Sequence, residues 1–290
     1  MAAASPQPSC PPILYKYLSA HNAIRTISEH RIKVSQPDTF NDPFEIGALY
    51  TGDIDLALIV DLILRPGNLD EMYASPNPPT QPRAAFIHLL KTNPGQIIDA
   101  ASQQRMRANA QEDFAKAKAR MFALCLSKVS DDLLMWAHYA DEHQGIVIGF
   151  TTEGWGTKEA GFMPVRYQKD RATIPMNLGL SNSDPDKREA AYRTAYTTKS
   201  PHWCYEQEWR IFFKPRGTAF QGIRTANGDI LFFYIFPIGQ VREIIFGQRC
   251  PAKEILRMKQ AAIAAGATHC RFSQVSLHAT RFELEIKDSI

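Results

Sequence analysis

Short apolar runs recur along this chain, and their number decides which class of fold is open to it. "ILYKYLS", "FALCLS", "GIVIGF", "ILFFYIFP" and "VREIIFG" each have strand length, and each is closed by Gly, Pro or polar residues. Helical patterns such as "SAHNAIRTISEH" and "PAKEILRMKQAAIAAG" lie between them but do not alternate with them one for one. Strands therefore outnumber clean βαβ units. The expectation is an α+β fold with a mostly antiparallel central sheet and flanking helices.

Residues 53 to 120 break this rhythm. "DIDLALIVDLIL" and "DAASQQRMRANAQEDFAKAKARM" are helix-rich, and the proline-dense "ASPNPPTQP" separates them. They predict a helical insertion over about 53–120 within a single domain spanning 13–290, preceded by a disordered leader over 1–12. Proline denies the linker regular hydrogen bonding, so mobility is expected from about Gly67 to Gln81. "SDDLLMWAHYADEHQG" reads as a helix capped by Ser130 and ended by Gly145, and "FMPVRYQ" as a buried strand.

Charge and cysteine usage narrow the setting. A net charge of +3 over 290 residues argues neither for nor against a nucleic-acid partner. The five cysteines are scattered without a CxxC pair, which reads as reduced thiols. "MAAASPQPSCPP" lacks the basic start and apolar core of a signal peptide, and no apolar run approaches the ~20 residues of a membrane helix. A cytoplasmic protein with no membrane partner is expected.

The stretch "HWCYEQEWRIFF" places Glu206, Glu208 and Arg210 among aromatic residues. Read as a strand over 206–213, it turns these three to one face and Trp209, Ile211 and Phe213 to the other. Either they form an ion pair bordering the sheet or they line a site, and partial burial would raise a carboxylate's pKa. Two other blocks are unusually polar. "MWAHYADEH" carries Trp136, His138 and Tyr139, and "SQPDTFNDPFE" carries Ser35, Asn41, Asp42 and Glu45. Asn41 and Asp42 also suit ordinary turn chemistry, in which Asx side chains bond the local backbone. No HExxH or paired Cys/His set is present, so no metal site is predicted; P-loop, GxGxxG and GxSxG motifs are absent too.

Together, "LYKYLS", "VSQPDTFNDPFE", "LMWAHYADEHQGIVIGF" and "YEQEWR" resemble a widespread bacterial family of unknown function, from about Leu14 to Gly247. The order of an aromatic on a first strand, a helix, a Ser-bearing strand and a late E-x-E is also similar to ADP-ribosyltransferases. That second resemblance implies NAD as substrate, with Tyr17 holding the dinucleotide and Ser35 bracing the nicotinamide pocket. It makes Glu208 the glutamate that stabilises an oxocarbenium-like transition state, led by Glu206. The first strand lacks the His or Arg common there, and S-T-S is reduced to Ser. Tyr17, Trp136 and Tyr139 are candidate aromatic walls, and Arg210 and His138 complete the expected site. The acceptor, protein or nucleic acid, stays open. Two further readings stand beside this one. The first is a nuclease or other phosphodiester hydrolase using Asp42, Glu45, His138 and Glu208, with Mg²⁺. The second is a non-catalytic sensor or interaction domain braced by the same polar blocks.

Overall fold

The computed structural model describes residues 8–155, 161–180, 184–214 and 219–288. The chain opens with β1 (Ile13–Leu18), α1 (Ala20–Ser28) and β2 (Arg31–Val34), then passes through the NDPFE loop. β3 (Ala48–Thr51), α2 (Leu56–Ile63), α3 (Asn68–Tyr73), α4 (Arg83–Thr92) and α5 (Ala100–Lys118) follow. Next come β4 (Phe122–Ser127), α6 (Leu133–Tyr139) and β5 (Ile146–Thr151). Three short strands, β6 (Met163–Pro164), β7 (Arg166–Tyr167) and β8 (Ala172–Pro175), lead to α7 (Met176–Leu180) and α8 (Pro185–Thr197). The last third holds β9 (Thr198–Lys199), β10 (Glu208–Phe213), β11 (Phe220–Arg224) and β12 (Ile230–Ile235). It closes with β13 (Val241–Phe246), α9 (Ala252–Ala264), β14 (Arg271–Leu277) and β15 (Leu284–Asp288).

The chain divides into two compact units. The first comprises Met1–Glu45, Ala119–Lys169 and Thr197–Ile290. Its centre is an eight-stranded sheet in the order β15-β14-β13-β5-β1-β4-β10-β6, antiparallel except for the β13–β14 pair. The α+β class read from the strand pattern is the one observed. β4 and β5 are nearly continuous apolar runs because both faces of the sheet are covered. On one face Leu14, Ile148 and Ile244 pack with Ala23 and Ile27 of α1 and Met258 and Ala262 of α9. Each large aliphatic side chain sealed there contributes about 1.5–3 kcal/mol. On the other face Tyr17, Val147 and Ile245 pack with Met135 and Trp136 of α6. A smaller sheet, β11-β12-β2, belongs to the same unit.

The second unit comprises Ile46–Lys118 and Asp170–Tyr196. Most of the stretch expected as a helical insertion falls in it, but the chain also returns to it, so that β8 pairs with β3 in parallel. One cluster joins Ile59, Leu69, Phe86, Leu90 and Met176. Another stacks Phe114 on Tyr192 and Tyr196. The stretch expected to be mobile contains α3, whose Leu69 is buried, and Tyr73 packs edge-on against Phe86. Tyr73 also donates to the carbonyl of Gln81. No helix among the described residues is long and apolar enough to cross a membrane.

Several local expectations change. Pro11 and Pro12, placed in the leader, accept hydrogen bonds from the Thr152 hydroxyl (2.7 Å) and amide (3.0 Å). Asp132 caps α6 rather than Ser130, its Oδ1 accepting from Leu134 and Met135. α6 stops at Tyr139, short of Gly145, and Asp141, Glu142 and His143 follow in left-handed backbone. "FMPVRYQ" is two dipeptide strands, neither of them buried, since Pro164 has no amide to extend a ladder.

Two glycines are set by a close approach of backbones. A Cβ on Gly247 would stand 2.1 Å from the carbonyl oxygen of His143, and one on Gly145 would stand 2.2 Å from that of Leu18. Overpacking of this kind typically costs about 1–3 kcal/mol. Gly247→Ala is expected to lower unfolding stability by that amount or more, measured by urea denaturation. Gly161→Ala, where the added Cβ meets nothing within 4 Å, is the matched control.

Candidate active site

At the floor of the first unit lies a buried ladder of charges. Arg210, with 0% exposure, projects from β10 and bonds in bidentate fashion to Glu208, through Nε to Oε1 and Nη2 to Oε2, each at 2.7 Å. The same guanidinium bonds Glu45, the last residue of the NDPFE block. Lys199, from β9, reaches Oε2 of Glu206 at 2.5 Å, Oε2 of Glu208 at 3.1 Å and Oε1 of Glu45 at 3.5 Å. The Tyr139 hydroxyl donates to Oε1 of Glu206 at 2.7 Å, and the Tyr167 hydroxyl accepts the Glu208 amide at 2.8 Å.

The two glutamates do not share a strand. Glu206 ends a 3-10 turn over Pro201–Glu206, and Gln207 adopts left-handed backbone (φ 41°) before β10 begins at Glu208. Strand alternation therefore does not bring them together. The left-handed residue turns the chain so that both carboxylates meet on the Lys199 ammonium.

Burial sets the titration of this cluster. It raises the Glu208 carboxyl from its ordinary 4.5 to about 7, with Lys199 opposing the rise and Glu206 adding to it. Burial alone would depress Lys199, but the Glu208 and Glu206 charges outweigh it and hold the ammonium above its ordinary value. Arg210 is lowered by burial to about 9, against the pull of Asp42, and stays charged at neutral pH. Three carboxylates (Glu45, Glu206, Glu208) stand against two cations (Lys199, Arg210). A proton held on Glu208 reduces that excess of negative charge.

The ladder is the floor of a cleft of about 200 Å³. Small-molecule pockets usually fall in the range of about 300–1,000 Å³, so this one takes a ring-sized fragment of a ligand rather than a whole dinucleotide. The cleft opens where the sheet splits. β1 pairs with β4 only at Tyr15 and Ser127, and farther along the edge of β4 passes to Ser35, which bridges Ala123. Between these points the Cys125 carbonyl has lost its strand neighbour, and Lys16 Nζ meets it at 3.0 Å. The walls include Tyr15, Tyr17, Tyr139, Ser35 and Asn41.

The polar blocks singled out in the sequence are brought together in part. Tyr17, Ser35, Asn41, Glu45, Tyr139, Glu206 and Glu208 all line the cleft. Arg210 lies behind Glu208. Trp136 does not reach the cleft as an aromatic wall: it is fully buried, donates to the Ser130 carbonyl at 2.8 Å and meets Tyr17 edge-on. His138 is exposed, pairs its Nδ1 with the Tyr205 hydroxyl at 3.0 Å and meets Tyr139 edge-on, without itself lining the cleft. Asp42 makes the Asx contact to the Phe44 amide (2.9 Å), and its buried Oδ2 has no hydrogen-bond partner among the described residues. Of the residues suited to a phosphodiester hydrolase, Glu45 and Glu208 meet on Arg210, whereas His138 bonds Tyr205. Among the described residues no group of three or more His, Cys, Asp or Glu is placed to hold a metal ion.

Sequence reading missed Lys199, Lys16 and Tyr167. Lys16 carried a signal, being a lysine inside an apolar strand. Lys199, in "TTKSP", carried none, because its partners declare themselves only in three dimensions.

A family model described as a protein of unknown function (DUF2971) matches residues 135–211. The chain thus carries a domain of unknown function over a span that includes Tyr139, Lys199, Glu206, Glu208 and Arg210. β1 and the NDPFE loop lie outside it. No curated protein and no solved structure matches the chain.

Two stability measurements follow from the ladder. Removing one member of a buried ion cluster strands the others, typically at about 3–5 kcal/mol. Lys199→Met should lose that much, while Lys287→Met, an exposed partner of Glu285, should change stability by less than about 1 kcal/mol. The second concerns pH. The native state binds a proton on Glu208 that the unfolded chain has already released, so this group's contribution to stability falls as pH rises from about 4.5 to about 7. Denaturation of the wild type and Glu208→Gln across that window should show the wild type losing stability relative to the variant. A constant difference would contradict the assignment.

Proposed function

We propose that the cleft takes the reacting end of a nucleotide and cleaves a nicotinamide–ribose bond, in the manner of an ADP-ribosyltransferase with NAD as substrate. What carries this reading is that Tyr17, Ser35, Glu206 and Glu208, drawn from separate sequence blocks, line one cleft. Departure of nicotinamide builds positive charge at the anomeric carbon. An anion already fixed nearby stabilises that charge more than it stabilises the ground state. Arg210 and Lys199 fix both carboxylates, so little reorganisation is needed when charge develops. Tyr15, Tyr17 and Tyr139 line the cleft and offer ring surface to the bound fragment, their hydroxyls being donated to Glu243, the Val129 carbonyl and Glu206. With Glu208 raised to about 7, its ionised fraction, and the rate with it, rises through neutral pH.

A second reading is favoured by the completeness of the ladder. Each carboxylate in it already has a cation, as a purely structural brace in a non-catalytic binding domain would require. One variant separates the two. Purified protein is incubated with NAD, and nicotinamide release and label transfer to protein or nucleic acid are followed for the wild type and Glu208→Gln. The catalytic reading expects release by the wild type and a loss of roughly 10²–10³ in rate in the variant. Its melting temperature falls in either reading, because Glu208 is a member of the buried ladder and bonds both Arg210 and Lys199, so turnover is what separates the two. Absence of turnover in the wild type, or equal turnover in the variant, rejects the catalytic reading. A lowered melting temperature without any turnover supports the brace.

A further inference from the structure

The same cleft is lined by two lysines, neither of which forms an ion pair among the described residues. Lys16 is half-buried on β1, and among the described residues its only hydrogen bond is to the Cys125 carbonyl. An ammonium has three donors, so two remain unspent. Lys33 projects from β2 on the side away from Ile32 and Val34, which enter the core, and has no ion-pair partner among the described residues. Ser35 lines the same cleft, and its hydroxyl makes no hydrogen bond among the described residues.

We propose that Lys16, Lys33 and the Ser35 hydroxyl form an anion subsite that binds a phosphate or pyrophosphate group of the ligand. The physical case is the cost of the empty arrangement. A partly desolvated ammonium without a counter-ion is unfavourable, and a second ammonium facing the same space adds repulsion. The Lys16 amine is in fact depressed, first by burial and further by the Lys33 charge, against the pull of Cys125, Glu208 and Glu206. A dianionic group between the two lysines relieves both costs and can accept the unspent donors. The carbonyl of Cys125 accounts for one donor of Lys16. It accounts for nothing in the placement of Lys33. The cleft thereby offers carboxylates suited to developing positive charge and lysines suited to phosphate. This deepens the nucleotide reading above and rests on it for the rest of the ligand, though not for the anion itself.

The test is calorimetric titration of the full chain with inorganic pyrophosphate at low ionic strength. Saturable one-site binding that weakens with added salt is expected. Lys33→Met should weaken it about tenfold or more, the effect of losing one charge-assisted hydrogen bond, and Lys287→Met should leave it unchanged. Lys33 is exposed, so its variant keeps the fold even if Lys16→Met disturbs the Cys125 strand. ADP binding more tightly than pyrophosphate, with adenosine not binding, places the anion within a nucleotide; pyrophosphate binding alone places it in a free phosphate ligand. Failure of the wild type to bind pyrophosphate, or equal affinity in Lys33→Met, overturns the subsite even if NAD is consumed. Retained pyrophosphate binding with no NAD turnover leaves the subsite standing and rejects only the glycosyl-transfer reading.

Discussion

A guanidinium shut off from water must be met by anions, and Arg210 takes them from two distant parts of the chain. Glu208 lies two residues away on the same strand, while Glu45 lies 165 residues earlier at the end of the NDPFE loop. Neither carboxylate nor cation would be tolerable there alone, since each isolated charge costs several kcal/mol to desolvate. The requirement to bury them together fixes where the loop closes on β10, and Lys199 extends the same requirement to Glu206 and, through it, to Tyr139. Loop, strand, 3-10 turn and helix end are thus tied at one point.

The ladder would remain an internal brace if the sheet above it were continuous. It is not. β1 leaves β4 after a single pair, Ser35, just past the end of β2, bridges β4 only at Ala123, and the gap between them becomes the cleft. A backbone carbonyl exposed by such a gap needs a donor, and Lys16 supplies it. The irregularity in the sheet is therefore what joins buried charge to space for a ligand. The same gap puts tyrosines from β1 and α6 beside the carboxylates.

Within the sequence, the apolar runs and the polar residues interrupting them were legible because both are local signals. Period and length mark a strand whatever it packs against, and the class of fold follows from counting such elements. Glu206 and Glu208 stood out because carboxylates among aromatic residues need partners. Their geometry was not legible: alternation places them on one strand face, whereas Gln207 in left-handed backbone does the work of bringing them together. His138 and Trp136 were equally conspicuous as residue types, yet one faces Tyr205 at the surface and the other is enclosed. Residue type says that a side chain wants a partner and leaves open which one it finds.

The sequence by itself determined the element types, the α+β class and the presence of polar groups too costly to bury unpaired. Tertiary structure alone decided that Lys199 would pair with both glutamates, that Lys16 and Lys33 would face one cleft, and that residues 170–196 would rejoin the second unit. The physical reason is range. Backbone propensity and hydrophobic period act over a few residues, whereas ion pairing and the splitting of a sheet are set by which distant segments the packed core brings within a few ångströms of each other.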